Sequence, residues 1–116
     1  MTVEKKDLDW GSLDFSYRKT DYSYVCNYKD GKWGEGELTT DHSLNISECA
    51  GILHYCQEVF EGLKAYTTQD GHIVCFRPDM NAARMHDSAQ RLEMPPFPED
   101  RFVEAVKKVV EANAAW

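Results

Sequence analysis

GLKAYTTQDGHIVCFRPDMNAARMHDSAQRL, residues 62 to 92, is the stretch that decides the fold. Its first half reads with period two. Gly62 to Thr67 (GLKAYT) is expected as a strand, Gln69-Asp70-Gly71 as a turn, and His72 to Arg77 (HIVCFR) as the return strand. Leu63, Ala65, Ile73 and Cys75 alternate, so one face of this hairpin is apolar. At Arg77-Pro78 the period changes. Proline disfavours helical backbone in the residue before it and suits a helix's first turn, and Asp79 adds charge that the helix N-terminus favours. Beyond it, Ala82, Met85, Ala89 and Leu92 recur at helical spacing, with Arg84, Asp87, Ser88 and Arg91 as a second, polar stripe.

The same alternation of patterns extends outward. Downstream, Pro95, Pro96 and Pro98 break the chain. From Glu99, a second helix is expected to carry Phe102, Ala105, Val106, Val109 and Val110 on one face and run to Trp116, with Glu104 and Lys108 spaced for an ion pair. A helix reaching its last aromatic residue with no glycine stop and no polar tail reads as a truncated one. Upstream, Tyr22 to Tyr28 (YSYVCNY) reads as a strand, Lys29-Asp30-Gly31-Lys32 as a hairpin turn, and Trp33 to Leu38 as a return strand weakened by Gly34 and Gly36. Met1 to Asp9 is polar and expected to be loosely ordered. The fold class is therefore α+β, with antiparallel β-hairpins and two helices in one domain, residues 1–116.

Composition excludes several functions. The chain has 116 residues, 42% hydrophobic and 28% charged, which is ordinary for a globular domain. Its net charge of −7 argues against general binding to nucleic acid or anionic membranes, both of which need a basic face. One well-placed arginine can still hold a phosphate. MTVEKKDLDW has no apolar signal-peptide segment, and no stretch approaches a membrane span. The expected location is the cytoplasm. Four cysteines are too few for a disulfide scaffold, so free and mostly buried thiols are expected. His54, Cys56, Cys49 and Cys75 lack metal-site spacing, and no metal is expected.

Two motifs point to chemistry: LHYCQEVFEGLKAY (Leu53 to Tyr66) and FRPDMNAARMHDSAQRL (Phe76 to Leu92). Together they resemble the branched-chain amino acid aminotransferases, fold type IV enzymes dependent on pyridoxal 5′-phosphate (PLP). LDWGSLDFSY, DGKW, GELTTD, ISE and FVEAVKKVVEAN extend the resemblance over most of the chain. Relatives of the same fold acting on D-amino acids or aminodeoxychorismate differ in the aromatic loop.

The resemblance implies the family's small N-terminal domain, with the C-terminal domain that bears the PLP lysine absent. It assigns Arg84 to the cofactor phosphate, where a guanidinium forms forked, charge-assisted hydrogen bonds. Spacing alone reads Arg84 as a surface residue paired with Asp87 or Ser88. Tyr55 and Phe60 match the aromatic wall for an aliphatic side chain, one of them facing the partner subunit's site in a homodimer. Gly62 and Lys64 complete the pocket segment. Read without the resemblance, the two aromatics are core residues, Gly62 serves strand geometry, and Lys64 is a solvent-facing strand residue. Lys64 is not assigned as the Schiff-base lysine, and no catalytic residue is expected in this chain.

Glu58 and Glu61 are three apart, as a general acid and base can be, but acidic residues are abundant here and the pair carries little weight. Asn81, Arg77 and Arg91 are assigned structural roles. Cys56 stands where the family commonly has a small residue such as glycine. The implied reaction exchanges an amino group between leucine, isoleucine or valine and 2-oxoglutarate, and this chain alone is expected to be inactive. The alternative is a stand-alone, non-catalytic module that binds partner subunits.

Overall fold

The computed structural model describes residues 3–116. Its elements follow in the order β1 (Ser23–Val25), β2 (Tyr28–Lys29), β3 (Lys32–Trp33), β4 (Glu37–Thr39), α1 (Gly51–Tyr55), β5 (Ala65–Thr67), β6 (Ile73–Cys75), α2 (Pro78–Arg91) and α3 (Glu99–Ala112). A short 3-10 turn at Trp10–Ser12 precedes them. The architecture is α+β, with antiparallel two-stranded ladders against two long helices.

The upstream hairpin forms, with a fault in its register. β1 pairs with β4 (Tyr24 opposite Leu38) and β2 with β3 (Tyr28 opposite Trp33). Between the ladders one arm carries Cys26 and Asn27, while the other carries three residues, Gly34 to Gly36. That extra residue is a β-bulge, which bends and twists the strand. Gly36 takes φ +78°, and a Cβ there would lie 2.1 Å from Tyr24 Oη. The two glycines that weaken the strand in sequence thus mark the bulge itself. Trp33 packs edge-on against Phe97 (centroids 4.9 Å) outside the hairpin and against its ladder partner Tyr28 (5.2 Å). Its indole donates to the Pro96 carbonyl at 2.9 Å. Arg101 of α3 donates to the carbonyls of Gly34 and Glu35. The bulge is thereby fastened to the proline-rich connection and to α3.

The second hairpin is regular but shorter than expected, pairing Ala65 with Cys75 and Thr67 with Ile73. Thr68 closes its turn. The Thr68 N–H donates to the His72 carbonyl at 2.8 Å, and the His72 N–H donates to Thr68 Oγ1 at 3.0 Å.

Pro78 starts α2 as expected, after Arg77 in left-handed conformation. Ala82 and Ala89 are 1% and 4% exposed and are the most buried apolar side chains of the described residues. Met85 is half-buried, and Leu92 lies just past the helix and is exposed. In α3, Phe102, Ala105, Val106, Val109 and Val110 are half-buried, lining an open apolar cavity of about 540 Å³ with Tyr24, Trp33, Leu63 and Ala65. The radius of gyration, 15.9 Å, exceeds the roughly 13 Å of a compact chain of this length.

Four expectations are corrected. The last helix stops at Ala112, short of Trp116, because Asn113 turns the chain and binds it. Asn113 Oδ1 accepts from the Asp21 and Tyr22 N–H groups at 3.0 and 2.9 Å, and its Nδ2 donates to the Tyr22 and Val109 carbonyls. The N-terminal segment is held rather than loose over the described residues. Lys5 and Lys6 bond the carbonyls of Ala114 and Ala115, and Lys6 sits over the Trp116 ring at 3.8 Å. Met1 and Thr2 lie outside the described residues. The four thiols are free but not buried: Cys49 and Cys56 are exposed, Cys26 and Cys75 half-buried. Glu104 and Lys108 form no ion pair.

Candidate functional site

The segment Cys56 to Lys64 links α1 to β5; Gln57 Nε2 ties its start to the Leu92 carbonyl at 3.0 Å, and the Glu61 carboxylate ties its middle to α2. The short helix α1 was not foreseen, because five residues carry too little periodicity to read. It ends at Cys56, which takes the left-handed conformation (φ 51°, ψ 32°). That backbone is the one glycine enters without cost, which gives a physical reason for a small residue at this position.

Five residues on, Glu61 turns its side chain onto α2. Arg84 Nε donates to Glu61 Oε1 and Arg84 Nη2 to Glu61 Oε2, both at 2.6 Å. Glu61 Oε2 also accepts from Asn81 Nδ2 at 2.8 Å, and the same nitrogen donates to the Gly62 carbonyl at 3.1 Å. Asn81 and Arg84 are three apart on α2, so both face one way. The pair is asymmetric: the Glu61 side chain is 6% exposed and that of Arg84 66%. The Arg84 hydrogen bonds hold the Glu61 carboxyl below the usual glutamate range, with Asn81 adding to them against a contrary effect of burial. Arg84 is correspondingly raised by Glu61. Among the described residues, Arg84 Nη1 has no hydrogen-bond partner. The site therefore presents one open edge of a guanidinium whose other edge is locked.

The residues assigned from sequence are only partly assembled. Arg84 binds neither Asp87 nor Ser88 but Glu61, across the fold. Phe60 and Gly62 flank Glu61 and ride on the same clamp. Tyr55 ends α1, and neither it nor Lys64 hydrogen-bonds to the clamp. Tyr55 and Phe60 are 84% and 91% exposed, so the reading of them as core residues is wrong for this chain, and they close no apolar wall within it. None of the five lines the apolar cavity. A Cβ on Gly62 would meet nothing within 4 Å, so neither strand geometry nor a close approach within this chain requires glycine there. Lys64 is exposed and precedes β5, as a solvent-facing lysine should.

The structural role expected of Asn81 takes an unforeseen form: it is buried and bridges Glu61 to Gly62. Sequence reading gave Glu61 a minor part, paired with an exposed Glu58. The available signal was a polar i, i+3 pair, Asn81 and Arg84, on either side of a buried Ala82. No group of three metal-ligating side chains occurs among the described residues.

This arrangement defines an α+β chain with a half-open arginine held by Glu61 beside an exposed aromatic loop. No protein-family model matches it. It is 57% identical over 111 residues to a branched-chain-amino-acid aminotransferase of Haemophilus influenzae, covering 96% of this chain and 32% of that one. It is 46% identical to the enzyme of the same name from Helicobacter pylori, covering 96% and 33%. A methionine aminotransferase of Arabidopsis thaliana is 43% identical over 112 residues, covering 95% and 31%. Over the segment it spans, the chain is similar to branched-chain-amino-acid aminotransferases. It spans about a third of the length of the curated relatives it matches.

Proposed function

We propose that this chain is the small, N-terminal domain of a fold type IV, PLP-dependent branched-chain amino acid aminotransferase. The complete enzyme transfers an amino group between leucine, isoleucine or valine and 2-oxoglutarate. The observation that carries the reading is Arg84, a guanidinium locked on one edge and open on the other, in a chain 57% identical to such an aminotransferase. The fit to the cofactor is chemical: the free Nη1 donors suit a phosphate dianion, and the fixed side chain needs little further ordering to bind one.

When bound, PLP supplies the electron sink for chemistry at the amino acid's α-carbon. This chain's residues bind and enclose. Arg84 holds the phosphate. Tyr55 and Phe60, exposed here, form an apolar wall completed by further protein, one of them reaching the partner subunit's site in a homodimer. Gly62 and Lys64 belong to the same pocket segment. The cofactor's lysine lies in a further domain, so the 116-residue chain by itself is inactive. Free thiols and the absence of a long apolar helix among the described residues accord with a cytoplasmic setting.

The test is transamination of leucine with 2-oxoglutarate. The purified chain is expected to show none. Substituted for the equivalent stretch of the Haemophilus enzyme, it should sustain the reaction, and Arg84→Ala should weaken PLP retention in that graft. Leucine transamination by the isolated chain, free of contaminating enzyme, would overturn the reading.

A further inference from the structure

We infer that Glu61 is a positioning residue: its carboxylate grips the Nε–Nη2 edge of Arg84 and turns the Nη1 edge outward to receive the cofactor phosphate. The inference rests on the assignment of Arg84 to that phosphate. Its geometry is independent of it. A mid-helix arginine has many rotamers, and a 66% exposed one is ordinarily free to sample them. Here both oxygens of one carboxylate engage two nitrogens of the guanidinium at 2.6 Å, which fixes the plane of the group and its rotation.

Glu61 is itself fixed. Asn81 donates to Oε2 at 2.8 Å and to the adjoining Gly62 carbonyl at 3.1 Å, so side chain and backbone are held from one point on α2. The exposures set the direction. The carboxylate is enclosed and the far side of the guanidinium is open, so an incoming anion meets Nη1 and does not compete for the edge Glu61 occupies. A plain surface ion pair would leave both partners exposed, as in Arg77 with Asp79. Glu61 also lies between Phe60 and Gly62. The group that aims the phosphate arginine therefore also anchors the aromatic loop.

The experiment uses the graft of this chain into the Haemophilus enzyme, in its cofactor-free form. Dissociation constants are measured for pyridoxine 5′-phosphate and for pyridoxine, neither of which has an aldehyde to react with lysines. Their ratio reads preference for the phosphate. Glu61→Gln is expected to lower that preference about tenfold, in the range seen for partners that orient binding groups elsewhere. Pyridoxine affinity should hold, and Glu61→Gln should add nothing further in an Arg84→Ala background.

Glu61→Asp keeps the charge with a shorter reach and should fall between the two. A merely structural staple would weaken both ligands alike, and that result would overturn the inference. An unchanged preference in Glu61→Gln would do the same where Arg84→Ala abolishes it. If Arg84→Ala itself leaves the preference intact, the assignment of Arg84 falls instead. Should Glu61→Gln not assemble, an unaltered preference in Glu61→Asp decides against Glu61.

Discussion

The corner at Trp33 and the clamp at Glu61 both tie a loop to a helix, and they do it by opposite means. At Trp33 the attachment is spread over two aromatic faces, an indole hydrogen bond and the Arg101 contacts to the bulge. At Glu61 it depends on one carboxylate shared between Arg84 and Asn81. Packing of the first kind resists pH and fails only when volume is removed. The second can be titrated away, because it rests on the charge of one carboxylate.

The largest effect should come from Trp33→Ala, which removes both edge-on aromatic contacts and the bond to Pro96. We expect a loss of about 3 kcal/mol, measured by urea unfolding and nearly the same at pH 4 and pH 7. Gly36→Ala strikes the same corner through the backbone. Its new Cβ would collide with Tyr24, and φ +78° is strained for any side chain, so a loss of about 2 kcal/mol is expected in the same assay.

The clamp should behave differently. Glu61 is depressed in the folded state, so its contribution is present above the ordinary glutamate value of 4.5 and is lost as pH falls through the lower folded value. The stability difference between the wild-type chain and Glu61→Gln should therefore be constant near neutrality and shrink toward zero in acid. A difference that grows in acid would reverse the sign and refute the assignment. The smallest effect is a gain: Cys56→Gly relieves a left-handed cap and should stabilise the chain by about 0.5–1 kcal/mol, visible as a raised Tm.

How much of this could be read from the chain differs element by element. The β5–β6 hairpin and the start of α2 were legible because Asp70-Gly71 and Arg77-Pro78 act locally. The upstream hairpin was legible in outline only. Gly34 and Gly36 signalled a weak strand, but a bulge is a mismatch between two arms and has no signature in either alone. The end of α3 was misread because Asn113 stops the helix through bonds to Asp21 and Tyr22, over ninety residues away in sequence. Arg84 stands out in the sequence on a motif alone. Its partner was sought at Asp87 and Ser88, within reach along the helix, and found at Glu61, twenty-three residues earlier.

The sequence by itself determined the α+β class, the turn positions, the apolar face of each long helix and the likeness to branched-chain-amino-acid aminotransferases. All of these depend on neighbours within a few residues or on patterns repeated along the chain. Tertiary structure alone decided which carboxylate grips Arg84, that Asn81 is buried between Glu61 and Gly62, and that Tyr55 and Phe60 stand in solvent. Those outcomes depend on how a loop and a helix distant in sequence meet. A charged side chain takes the partner that folding brings to its donors, and no local spacing specifies which one that is.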